Sequence, residues 1–92
     1  MEIGRVIGTL VATRKHERLV GYKIQLVQPL DHRGERSMGE PFVAVDAVGA
    51  GVGEQVMLVR GSGARHALKN EQIPVDATII GIIDHIDVEE EP

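Results

Sequence analysis

The chain has 92 residues, no cysteine, no tryptophan and a formal charge of −4 at pH 7. These facts exclude disulfides and thiolate metal sites, make phosphate backbones poor electrostatic partners, and put the chain near the lower size limit for a domain that folds alone. Phe42 and Tyr22 are the only aromatics, so the core must come from Val, Ile, Leu and Ala, and self-association is a natural supplement to it.

Residues 3–13 are rich in Val, Ile, Leu and Thr with a loose period of two, which predicts a first strand. Gly4 and Gly8 interrupt it, and glycine inside a strand marks a bend, a bulge or a close backbone contact. The charged stretch 14–20, ending at Gly21, reads as a hairpin connection. Residues 22–28 then alternate, with Tyr22, Ile24 and Leu26 on one face and Lys23 and Gln25 on the other, as in a half-buried antiparallel strand closed by Pro29. A polar loop, expected to be mobile, runs from Asp31 to about Glu40.

Residues 41–48 predict a third strand with Val43 and Val45 inward, and residues 55–60 a fourth, with Val56 and Leu58 alternating against Met57 and Val59. Residues 62–69 read as a short helix with Ser62 as its cap and Ala64, Ala67 and Leu68 as its apolar stripe, broken over 70–74. Residues 77–88 form a long, β-branched last strand, with Ile80, Ile82 and Ile86 on one face and Ile79 and Ile83 on the other. Apolar residues on both faces of a strand call for two covers, and so short a chain has little left to supply the second.

Together these elements predict a mainly β fold: a small five-stranded antiparallel barrel, OB-like with Greek-key connections, and one short helix between strands 4 and 5. One domain over residues 1–92 is expected, with a short acidic tail from about residue 87. Glu2 stands where a signal peptide would be basic. The longest apolar run, Ile79-Ile80-Gly81-Ile82-Ile83, is far short of the roughly 20 residues of a membrane span. A cytoplasmic protein with no membrane partner follows.

Two glycine corners flank the fourth strand: Gly49, Gly51 and Gly53 before it, Gly61 and Gly63 after it. Tight turns alone need fewer glycines, and the surplus suggests corners pressed against another backbone. Neither corner carries a chemical motif. A dinucleotide fingerprint requires glycine where Glu54 stands and a helix where a strand follows, and a phosphate loop requires Lys-Ser or Lys-Thr after the last glycine. Gly61-Ser62-Gly63 lacks the Gly-x-Ser-x-Gly spacing of a nucleophile elbow. His16, His32, His66 and His85 are scattered without metal-ligand spacing. No cofactor, metal or catalytic residue is expected, and too few aromatics remain to stack nucleic-acid bases.

Several stretches resemble one family. They are Gly4-x-Val6-x-Gly8-Thr9-Leu10-Val11-Ala12-Thr13-x-Lys15, Leu19-x-Gly21-x-Lys23-Ile24 and Val27-Gln28-Pro29, followed by Val45-Asp46-x-Val48-Gly49-Ala50-Gly51-x-Gly53-Glu54-x-Val56, Gly61-Ser62-x-Ala64-Arg65 and Pro74-Val75-Asp76-Ala77-x-Ile79-Ile80-Gly81-Ile82-Ile83-Asp84. In this order they are similar to the EutN/CcmL family, the pentameric vertex proteins of bacterial microcompartment shells. Gly63 departs from the family, which often has a bulkier residue there. The resemblance implies a structural protein that is no enzyme, a β-barrel subunit closing into a homopentamer that caps shell vertices and meets hexagon-forming shell proteins at its rim. With the glycine surplus, it places Gly49, Ala50, Gly51, Gly53, Glu54, Gly61, Ser62, Ala64, Arg65, Ile82 and Ile83 at subunit contacts or near the axis. The alternative is a small OB-like binding module for nucleic acid or another ligand.

Overall fold

The structure, a computed structural model, describes residues 1–13, 15–69 and 74–89. Arg14, the helix break at 70–73 and the tail acids Glu90 and Glu91 lie outside the described residues. Five strands, β1 (Glu2–Leu10), β2 (Lys23–Leu30), β3 (Phe42–Asp46), β4 (Gln55–Arg60) and β5 (Ala77–Ile82), close into a barrel in the order β1-β2-β3-β5-β4, with a helix α1 (Ser62–Ala67) between β4 and β5. All neighbours are antiparallel except β3 and β5, which run parallel and join only through Val45 with Thr78 and Asp46 with Ile79. This single parallel join sits within the mostly antiparallel five-stranded barrel that the sequence predicts. The chain passes over α1 between β4 and β5, and β5 then lies alongside β3 in the same direction.

The barrel interior is layered. Val6, Val27, Ala44, Val56, Leu58, Ala77 and Ile79 form its aliphatic middle. Phe42, paired with Val27, plugs one end, where the Arg60 guanidinium lies 3.5 Å over its ring and bonds Glu2 on β1 at 2.6 Å. This arrangement exploits the attraction of a cation for an aromatic face. Gln25 and Asp46, both buried, occupy the other end.

That arrangement corrects the inward faces of two strands. Gln25 and Val27 point in from β2 and Ala44 from β3, whereas Ile24 and Leu26 pair with Val45 and Val43 on the outer face, where Val43 is exposed and Val45 is buried by its own chain. Pro29, expected to end β2, lies within it opposite Gly4 and accepts the Met38 N–H at 2.8 Å. β1 stops at Leu10 and β5 at Ile82, each short of its expected end, because ladder pairing ends there, with Ile24 on β2 and Val56 on β4 respectively. A bulge at Ile7 separates the Val6 and Gly8 registers of β1.

The polar loop after β2 is held more firmly than expected. Asp31 Oδ1 accepts the N–H groups of Arg33, Glu35 and Arg36 at 3.2, 3.0 and 3.3 Å. Gln55 Nε2 donates to the Gly34 carbonyl at 2.7 Å, tying the loop to β4. These N–H groups, that of Glu35 foremost, hold the Asp31 carboxyl below the ordinary carboxylate range. In the window between the lowered and ordinary values the unfolded chain binds more protons than the folded one. The contribution of this loop is therefore complete above the ordinary value and lost as pH falls through the lowered one. A carboxyl NMR titration is expected to give Asp31 a lower midpoint in the folded protein than in urea, and Asp31→Asn to flatten the acid side of the stability curve. Equal midpoints in the two states would contradict the assignment.

Candidate functional site: the glycine corners and the outer face of the barrel

The first corner is built from inside the barrel. Asp46, the last residue of β3, turns its carboxylate into the chain that follows. Oδ1 accepts the N–H groups of Val48 and Gly49 at 2.9 and 2.8 Å, and Oδ2 accepts that of Ala50 at 2.7 Å and the Gln25 amide at 3.2 Å. Gln25 Nε2 also donates to the Ala50 carbonyl at 2.8 Å, and its Oε1 accepts the Thr9 hydroxyl at 2.7 Å. Burying a carboxylate is costly unless hydrogen bonds replace its water, and here four donors do so. Lys23 Nζ reaches the same Ala50 carbonyl at 3.1 Å. The corner is therefore fixed by β2 and β3 together.

Gly49 and Gly53 have φ of 84° and 95°, a region that favours glycine. Gly51 does not need that freedom, and the Glu54 carboxylate accepts its N–H at 2.7 Å, closing the second half of the corner. The second corner differs. Gly61, at φ 66°, stands at the cap position of α1 with no side-chain cap, so the expected Ser62 cap is absent and Ser62 is exposed as the first helical residue. Ala64 is buried, its carbonyl accepting the Thr78 hydroxyl at 2.8 Å, and Arg65 reaches the Val75 carbonyl at 3.4 Å.

Strand direction separates the two corners. β1, β3 and β5 all run opposite to β2 or β4. The first corner therefore emerges at one end of the barrel with the β1–β2 hairpin and the chain after Ile82, while Gly61, Ser62, Ala64 and Arg65 lie at the other. Ile82 is 39% exposed and Ile83 half-buried at the first end. Ala50 and Ala64 are buried inside their own protomer.

Between the ends, the outer face of β2 and β3 is apolar. Ile24, Val43 and Val45, with Leu19, Pro74 and Val75, line a groove of about 160 Å³, and Val43 is 46% exposed. Sequence reasoning missed this face and also the Gln25–Asp46 pair. The only signal for the pair was one acid and one amide at strand positions that pattern alone assigns to solvent. Among the described residues, no group of three or more His, Asp or Glu side chains is placed to hold a metal ion, and no helix is long and apolar enough to cross a membrane.

A closed aliphatic barrel with tightly tied corners and an apolar outer face defines an assembling β-barrel subunit. A family profile described as ethanolamine utilisation protein EutN/carboxysome matches residues 1–84, and the chain belongs to this EutN/CcmL family. It is 46% identical to the carboxysome shell vertex protein CcmL of Gloeobacter violaceus, across 100% of this chain and 91% of that one. A solved ethanolamine utilization protein EutN matches at a TM-score of 0.90 and 42% identity, covering 96% of this chain and 91% of that one. The GrpN pentameric microcompartment shell protein of Rhodospirillum rubrum matches at a TM-score of 0.85 and 39% identity, covering 97% of this chain and all of that one.

Proposed function

We propose that this protein is a structural component of a bacterial microcompartment shell, forming pentamers that cap the vertices of that cytoplasmic polyhedron. The observation that carries the reading is the apolar outer face of β2 and β3, in a barrel that matches a pentameric shell protein along nearly its whole length. A ring uses heterologous contacts, one surface meeting a different one on the next copy, and such a contact supplies the cover that this face lacks. The chain acts as one vertex domain over residues 1–92, with an acidic tail from about residue 87. It works through shape, without catalysis, cofactor, nucleic acid or membrane. Its partners are its own copies and, at the rim, hexagon-forming shell proteins.

Within that ring, the first corner (Gly49, Gly51, Gly53, Glu54), the second (Gly61, Ser62, Arg65) and the Ile82–Ile83 end supply contact or near-axis surface, with Ala50 and Ala64 supporting them from beneath. Native mass spectrometry is expected to give five chains of 10.0 kDa, about 50 kDa, whereas a stable monomer at micromolar concentration defeats the reading. Gly51→Val separates folding from assembly. A Cβ at Gly51 meets only the Glu54 carboxylate, at 3.3 Å, so the barrel should melt near the parent temperature while the ring is lost. Normal rings from this variant would remove the corner from the interface.

A further inference from the structure

The end of the barrel that carries the first glycine corner also releases two projecting segments. β1 and β5 both run antiparallel to β4, so the β1–β2 hairpin and the segment 83–89 leave in the same direction. The molecule measures 52 × 23 × 22 Å. A nine-residue strand such as β1 spans only about 30 Å at roughly 3.3 Å per residue, so segments beyond the barrel provide the rest of the length.

One of these segments offers an open edge. Pairing of β1 with β4 ends at Arg5 opposite Gln55, and Val6 is completed by Gly53 and Glu54 of the corner. Beyond that, Gly8, Thr9 and Leu10 pair on one side only, with Leu26, Gln25 and Ile24. An edge with unpaired N–H and C=O groups is a template for another strand. Ile7, Leu10 and Val11 beside it are 44%, 42% and 95% exposed, and the hairpin beyond carries exposed Lys15 and Arg18.

The other segment has the complementary character. Ile83 N–H bonds the Gln55 carbonyl at 2.9 Å, after which the described chain pairs with no strand. Ile86 and Val88 alternate with Asp87 and Glu89, a strand pattern without a ladder, and Asp84, Asp87 and Glu89 are exposed acids. Its own β1 edge is screened from it by the glycine corner, which occupies the position next to Val6.

We propose that segment 83–89 of one copy adds as a strand to the open 8–10 edge of β1 in the adjacent copy, with Asp84, Asp87 and Glu89 set against Lys15 and Arg18 of that copy. This inference rests on the ring reading, since the donor and acceptor surfaces differ, as a head-to-tail ring requires. Main-chain bonds provide the hold, as in other strand-addition complexes. The exposed ion pairs contribute little individually and are screened by salt, so they set which segment lies where.

Charge exchange tests the proposal. Lys15→Glu with Arg18→Glu, and separately Asp84→Lys with Asp87→Lys and Glu89→Lys, should each make the ring dissociate at about tenfold higher concentration in native mass and light-scattering measurements. Combining all five changes should restore assembly, while the melting of each variant monitors the barrel. A second measurement uses a chain truncated after Ile83, in which amide exchange at 8–10 should rise about tenfold over that of the full-length ring. Parent-like assembly of either charge variant, no recovery on combination, or unchanged exchange on truncation overturns the proposal. If the parent is a ring, such a result removes only this contact. If the parent is a monomer, the ring reading fails with it.

Discussion

Gly4→Val is expected to abolish soluble folded protein, and Gly4→Ala to cost about 3 kcal/mol. Any Cβ at Gly4 runs into Val27 Cγ1, and it also lies 3.1 Å from the Gln28 carbonyl and 3.3 Å from Leu58 Cδ2. None of these can move away easily. Val27 is β-branched and stiff about its first torsion, Gln28 is held in the β1–β2 ladder, and Val27 and Leu58 are both fully buried. Gly8 is the internal control, because the nearest atom to a Cβ there is Leu26 Cβ at 3.8 Å. Gly8→Ala should stay within about 0.5 kcal/mol of the parent. The soluble yield of Gly4→Val and chemical denaturation of the two alanine variants decide the matter, and equal stability of Gly4→Ala and Gly8→Ala would show that β1 does not pack against the core as described.

Asp46→Ala is expected to be the most damaging single truncation of a polar side chain. It removes the acceptor for Val48, Gly49, Ala50 and Gln25 at once. A buried donor left unsatisfied costs about 1–3 kcal/mol. Allowing for water entering the space, a loss of about 3 kcal/mol or more is expected, a large share of the 5–15 kcal/mol typical of a whole domain. In a chain of this size that lowers the melting temperature by at least about 12 °C. Asp46→Asn keeps one acceptor oxygen and turns a donor toward the other pair, so it should fall between Ala and the parent. If Asp46→Ala melts within a few degrees of the parent, the carboxylate does not organise the corner.

Both residues show what could be read from the sequence and what could not. Of the two glycines inside the β-branched first run, Gly4 marks a close contact and Gly8 follows a bulge. β4 was legible in full because the apolar run that holds Val56 and Leu58 is bounded by glycine corners on both sides, and its bounds came out as Gln55–Arg60. β2 and β3 were legible as strands but not in orientation. Hydropathy assigns the apolar face inward, and here Gln25 and Asp46 are satisfied inside while Ile24, Leu26 and Val43 face outward. A buried polar group needs only partners: those of Gln25 lie 16 to 25 positions away, and Asp46 adds the N–H groups of the corner that follows it. Ser62 failed as a cap for a local reason: Gly61 takes the positive φ that ends β4, and the helix begins without a side-chain acceptor. The glycine corners were legible as turns, and Gly49, Gly53 and Gly61 do take positive φ there. Their separation to opposite ends follows from strand direction, which no local pattern encodes.

The parallel join between β3 and β5 is the shortest fastening in the hoop, two rungs against seven between β1 and β2. A hoop yields first at its clasp, and this one sits beneath the groove edged by Val43 and Val45 on one bank and Pro74 and Val75 on the other. A neighbouring subunit wedged into that groove would span both banks and lock the clasp from outside. Assembly would then stiffen each barrel where it is weakest by itself.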